Sequence, residues 1–302
     1  MLIAAEVLIV GMAIYSLGGG ATFASGMHRV EFTPAAVAPL AAGTSPHVVI
    51  DDSQSRVHVS ISNDELVHVQ DLTQMHGVVF STTSYPQLRV TRTADGVRIE
   101  RPSTPHLGID IFGFNIESIE VSVPSGSHLE IARCSGADVS GIAGGVSVRS
   151  QDGHVTLADL DGSVDARSDD GYVDARNVRG DRLALETMDG HVALHQVAVA
   201  SLTATTHDGR IEVRDLTLVG ERPDATLHTG DGSIKVYLTP NANLTVDAST
   251  SDGHVYVDGS SLGRDDDSAQ RSIRLGSGAG KMTIGTADGS IHIFTNGASQ
   301  SD

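Results

Sequence analysis

Tryptophan is absent from these 302 residues, cysteine occurs once, and aromatic residues make up only 4%. The single Cys134 excludes an intrachain disulfide framework and a cysteine-rich zinc site. Charge is scarce too, at 19% of residues, and mostly of one sign: 38 acidic against 20 basic side chains, a formal net charge of −18. A nucleic acid would meet net repulsion, so no such partner is expected. Glycine is plentiful at 33 residues but lacks the every-third-residue period of collagen, and 39% hydrophobic content is too high for a disordered chain. The length allows a substantial core in one large domain or two smaller ones.

Long apolar runs are missing everywhere except at the start. Residues 1–17 (MLIAAEVLIVGMAIYSL) are interrupted only by Glu6 and Ser16, and residues 18–24 follow without a charge. As a hydrophobic helix this stretch is just long enough to span a bilayer. Glu6 is costly at a membrane centre but lies near enough to the N-terminus to reach the interface. Residues 1–24 therefore read as a membrane anchor. A signal-like segment cut near Ala24, releasing an exported form, is the alternative, although no Lys or Arg precedes Arg29. A buried hydrophobic helix or a misassigned start codon is the third reading. Residues 25–46, rich in Ala, Pro and Ser, read as a linker, and residues 297–302 as a polar tail.

From residue 47 the pattern changes to short strands, as in Arg56-Val57-His58-Val59 and Ile119-Glu120-Val121-Ser122-Val123. Asp-Gly then recurs, at eight places followed by one variable residue and Val or Ile, while Asp95-Gly96 and Asp258-Gly259 do not fit that frame. Taking Asp152, Asp170, Asp189, Asp208, Asp231 and Asp252, the steps are 18, 19, 19, 23 and 21 residues. A period near 20 marks a repeat architecture. Before each turn stands a strand with apolar alternation (Val146/Val148, Val164/Ala166, Leu183/Leu185), and after it another (Val155/Leu157, Val173/Ala175, Val192/Leu194). Gly is expected in the turn because it tolerates positive φ, and Asp because it bonds its own backbone. The expectation is an all-β fold: a stacked-strand, β-helix-like solenoid over 47–296, clearest over 129–258 and 272–294, behind the N-terminal hydrophobic helix. In the second run Ala279-Gly280 stands where an Asp-Gly is expected, and Gly259–Gln270 reads as an exposed loop. A β-sandwich of short hairpins is the alternative, since Asp-Gly is also a strong hairpin turn.

Ser118-Ile119-Glu120-Val121-Ser122-Val123-Pro124-Ser125-Gly126, followed by serial Ser/Thr-x-Asp-Gly-x-Val units, resembles the bacterial "putative adhesin" β-strand-repeat family, a domain of unknown function in envelope proteins. The resemblance covers roughly 47–296. It implies a stacked-strand fold in an extracytoplasmic setting and supplies no catalytic residues.

Four sets of residues invite chemistry. His154, His191 and His254 share the slot after Asp-Gly, but lie two and three repeats apart in sequence. At about 4.8 Å per strand that is roughly 10–15 Å, too far for common ligation of one ion. The Asp ladder offers one carboxylate per turn and no Gly-Gly-x-Gly-x-Asp calcium repeat. Carboxylate pairs at glycosidase spacing are available on any stacked sheet, but Tyr172, Tyr237, Tyr256 and Phe294 are the only aromatics in the repeats to serve as sugar platforms. Cys134, beside Arg133, reads better as a small residue at a turn than as a nucleophile. No catalytic, cofactor-binding or metal-binding residue is assigned.

The expected function is that of a non-enzymatic adhesin-like or structural protein engaging an envelope or extracellular protein, a matrix or a glycan. The β domain is expected outside the cytoplasm, in the periplasm or at the surface, anchored through residues 1–24. Uncapped solenoid edges would add self-association. A membrane-anchored sensory or regulatory module and a polysaccharide-active solenoid enzyme are the alternatives.

Overall fold

The computed structural model describes residues 27–81, 85–102, 108–258, 260–261 and 269–295, and among these there are strands but no helix. The hydrophobic helix expected over 1–24 and the polar tail lie outside the described residues. In each repeat the alternating apolar side chains turn inward. Val164 and Ala166 before a turn, and Val173 and Ala175 after it, are at most 2% exposed. The two strands of a repeat do not pair with each other. Each pairs in parallel with its counterpart one repeat away, Val146 with Val164 and Val155 with Val173. This is a solenoid; hairpins would have made the turn-linked strands antiparallel partners. Two faces result, A before the Asp-Gly edge and B after it.

The strand order departs from chain order at both ends. On face A, Gly280–Asp288 lies between Asp224–Asp231 and Leu244–Asp252. On face B, Ile291–Phe294 lies between Ile234–Leu238 and Val255–Val257. At the other end His47–Asp51 lies between Gly96–Glu100 and His128–Cys134, and Arg56–Ile61 between Ser118–Val123 and Gly136–Ser140. Both terminal coils are therefore enclosed by earlier or later ones. The expected turn at Ala279-Gly280 is not one: Gly280 opens a face A strand, and Asp288-Gly289 takes the turn position. Within the expected loop Gly259–Gln270, Ser260–Ser261 and the start of Ala269–Arg274 are strands. Antiparallel strands cover the ends: Arg89–Arg92 and Leu66–Asp71 at one, Ala269–Arg274 and Ser260–Ser261 at the other.

The Ser/Thr-x-Asp-Gly motif has a packing cause beside the conformational one expected. Gly209 has no left-handed φ, yet a Cβ there would stand 1.6 Å from the Gly190 carbonyl oxygen of the preceding turn. Gly171, Gly232, Gly253 and Gly289 do take positive φ, 141–158°, and a Cβ on any of them would also stand under 3 Å from a carbonyl oxygen of a neighbouring turn. Conformation and close stacking both select glycine. The hydroxyl two residues before each Asp points inward and ties the same turns together. Ser168 Oγ donates to Gly153 O at 3.0 Å and Thr187 Oγ1 to Gly171 O at 2.9 Å, and both side chains are buried. At the opposite corner non-glycine residues take the left-handed region, Asp159, Asn177, Gln196 and Asp215, with φ of 51–56°. Asn and Asp tolerate this region better than most residues, and Asn177 Nδ2 donates to Asp159 Oδ1 across the stack.

Outside the rod, Met27–Phe32, Gln74–Ser81 and Gly108–Ile116 form a three-stranded antiparallel sheet. Leu40–Ala41 pairs with Leu66 and Val67, and Val37, Leu40 and Ala42 pack on the core. Part of the Ala/Pro/Ser-rich stretch thus lies against the rod.

Candidate binding surface

The residues singled out in the sequence are placed by this stacking. His154 and His191 flank Tyr172, with ring centroids 3.6 Å and 4.8 Å apart in one stack at the turn edge. His254 is four strands beyond His191 rather than three, because Gly280–Phe294 is inserted; that is roughly 19 Å. The three imidazoles do not converge. The turn aspartates form an exposed column, Asp170 beside Asp189, Asp208 beside Asp231, and Asp288 between Asp231 and Asp252. Among the described residues no group of three or more His, Cys, Asp or Glu is arranged to hold a metal ion.

Cys134 lies in the interior hydroxyl column, paired with Ser150, and is fully buried. Its Sγ donates to Arg149 O at 3.4 Å, and burial pushes the thiol pKa up, away from a reactive thiolate. The next positions of the column are Asp52 and Arg101, a buried cluster with no signal in the repeat pattern.

Two features stand on the outer side of face B. At its C-terminal end Tyr237 and Phe294 stack at 4.6 Å and Tyr256 and His292 at 4.6 Å, with planes within 9° and 8°. The Arg214 guanidinium covers the other side of Tyr237 at 4.3 Å, held by Glu212, which also keeps its pKa raised. Burial among the rings, and then Lys235, lower the His292 pKa. Three aromatics that look dispersed in sequence meet here because Ile291–Phe294 is inserted between the strands bearing Tyr237 and Tyr256. Nothing in the repeat spacing announces that insertion. In each pair one face of each ring is covered by its neighbour, and Arg214 covers the second face of Tyr237, so the ladder presents mainly ring edges outward.

At the N-terminal end, two adjoining hollows of about 500 and 410 Å³ share Glu120 and Ser122 and form one groove. Gln70, Glu120, His58, Asp138 and Thr156 line one row of its floor in register. His68, Ser122 and Ser60 belong to the second row, joined by Ser140, and the Ser60 and Ser122 hydroxyls are 3.2 Å apart. Residues 34–39 wall the end of the groove beside Leu66–Asp71. Both oxygens of Asp138 accept from Arg56, at 2.9 and 3.0 Å, and Asp138 Oδ2 lies 3.0 Å from His58 Nδ1. On the rim, hydrogen bonding to His68 holds the Asp64 carboxyl below its ordinary pKa.

No curated protein matches the chain. A structure named as a "putative cell adhesion protein" from Clostridium sporogenes ATCC 15579 is 10% identical, covering 89% of this chain and 98% of its own, with a TM-score of 0.24. A "putative adhesin" from Bacteroides fragilis NCTC 9343 is 12% identical, covering 88% of this chain and 96% of its own, with a TM-score of 0.39. The Toastrack DUF4097 family matches residues 46–294, nearly the whole rod and the larger part of the chain. This chain belongs to the Toastrack DUF4097 family, a family of unknown function.

Proposed function

We propose that the protein is a non-enzymatic, adhesin-like binding rod of the cell envelope, held at a membrane by residues 1–24 and engaging its partner through face B. One observation carries the reading: the polar groove and the aromatic–imidazole ladder occupy the two ends of the same outer face. The other conspicuous side chains of the repeat, the buried hydroxyls and the turn glycines, are committed to stacking. The ends of the rod are poorly suited to stacking copies in line. Antiparallel strands close face A at both ends, and the arginines they carry, Arg89 and Arg92 at one and Arg271 and Arg274 at the other, discourage edge-to-edge pairing. Engagement along the side follows.

The test is fractionation and surface proteolysis of cells carrying the tagged full-length chain, with attachment of those cells to envelope fragments or matrix. The expected result is a membrane-fraction protein, degraded by external protease once any outer barrier is opened, that promotes attachment. A protein recovered wholly in the cytosol would overturn the localisation and the adhesive reading together.

A further inference from the structure

The groove at the N-terminal end of face B is specific enough in its chemistry to indicate a ligand class, given the binding role proposed above. Its floor crosses five strands, from Leu66–Asp71 to Val155–Asp161. At about 4.8 Å per strand it is roughly 19 Å long. It presents a neutral or mixed set of donors and acceptors at each strand: the Gln70 amide, the Glu120 carboxylate, the His58 imidazole, and the hydroxyls of Ser122, Ser60 and Thr156. An extended peptide would add to a strand edge or seek large apolar and aromatic anchors. The floor strands are paired with one another, and the apolar lining (Val59, Val139, Ala158 and the Pro/Ala wall) is small and aliphatic. A polyanion would meet the exposed Glu120 carboxylate at the middle of the floor. For a cation, the Asp138 carboxylate is already taken by Arg56 and His58.

The geometry points to a linear, uncharged glycan lying across the strands, about one sugar per strand, its end against Pro34–Pro39. The strand spacing is close to the length of a pyranose unit, so each ring meets a fresh pair of side chains. Recognition is by hydrogen bonds along the floor. The C-terminal ladder lies at the opposite end of the face and contributes no residue to the groove.

Calorimetry of the purified full-length chain in detergent, with neutral β-linked glucose and N-acetylglucosamine hexamers, tests this. Ser122→Tyr fills the floor from a partly exposed position, and Thr226→Tyr is the matching change on the outer side of face A. At least one hexamer is expected to bind, with affinity falling at least about tenfold in Ser122→Tyr and unchanged in Thr226→Tyr, about 1.4 kcal/mol of discrimination. Should Ser122→Tyr fail to melt like the parent, Glu120→Lys at an exposed position serves instead. Equal binding by the parent and the floor variant overturns the inference. So does the absence of any hexamer binding while the parent still attaches cells, an outcome that leaves the adhesive reading standing. Loss of both glycan binding and attachment overturns both.

Discussion

The two ends of the rod fill the same interior column with different chemistry. At the C-terminal end the column stays neutral: Thr250 Oγ1 lies 3.2 Å from the carbonyls of Asp252 and Gly289, and Thr286 Oγ1 3.2 Å from Gly230 O. At the N-terminal end it runs through Cys134 into Asp52 and Arg101. Arg101 Nε donates to Asp52 at 2.8 Å, its Nη2 to Asp71 at 3.1 Å and Thr73 at 3.2 Å, and its Nη1 to Pro86 O at 3.0 Å. Burial by itself would lower the Arg101 pKa, but the Asp52 carboxylate overrides it and holds the guanidinium charged. Where one repeat lies on another, a hydroxyl meets a turn carbonyl at every step. Where the repeat stops and separate segments converge, one fork of donors gathers what the carbonyls no longer align.

The largest expected effect separates those ends. Arg101→Leu leaves two buried carboxylates unpaired and should cost about 3–5 kcal/mol in urea unfolding. Thr286→Val at the opposite end should cost about 1 kcal/mol. Equal losses would erase the distinction. Between them falls the middle of the rod: Gly209→Ala, with its 1.6 Å clash, should cost about 1–3 kcal/mol. Gly145→Ala, whose nearest atom is 3.6 Å away, should fall within about 0.5 kcal/mol of the parent.

Smaller still, Cys134→Ser puts the common residue of the column into its slot and should change stability by less than about 1 kcal/mol. The smallest effect depends on pH. His292 has a folded pKa below its ordinary 6.5, so its neutral form contributes stability that is present above pH 6.5 and lost as pH falls through the folded value. Melting curves of His292→Gln should lack that part of the acid loss, and an unchanged pH profile would remove the imidazole from the ladder's account.

Much of the rod is legible from local pattern. Val164, Ala166, Val173 and Ala175 alternate because one side of each strand is buried, and the spacing of Asp170, Asp189 and Asp208 counts the stacked turns. The cause of the turn glycine is less legible, since only neighbouring turns reveal the carbonyl that excludes a Cβ at Gly209. Least legible is the enclosure of the terminal coils. The sequence 280–294 has the same alternation as any repeat, and nothing local says that it enters between two earlier coils. The ladder of Tyr237, Phe294, His292 and Tyr256 depends on that enclosure, and the groove depends on its counterpart at residues 47–61.

Hydrogen exchange at the amides of Ile291 and Ile293 tests the enclosure directly. An enclosed strand flanked on both sides should exchange as slowly as Ile211 and Val213 in the middle of the rod, despite lying within a few residues of the end of the described chain. Fast exchange at 291 and 293, with protection rising steadily toward the middle, would describe a solenoid that frays from an open end and would contradict the account.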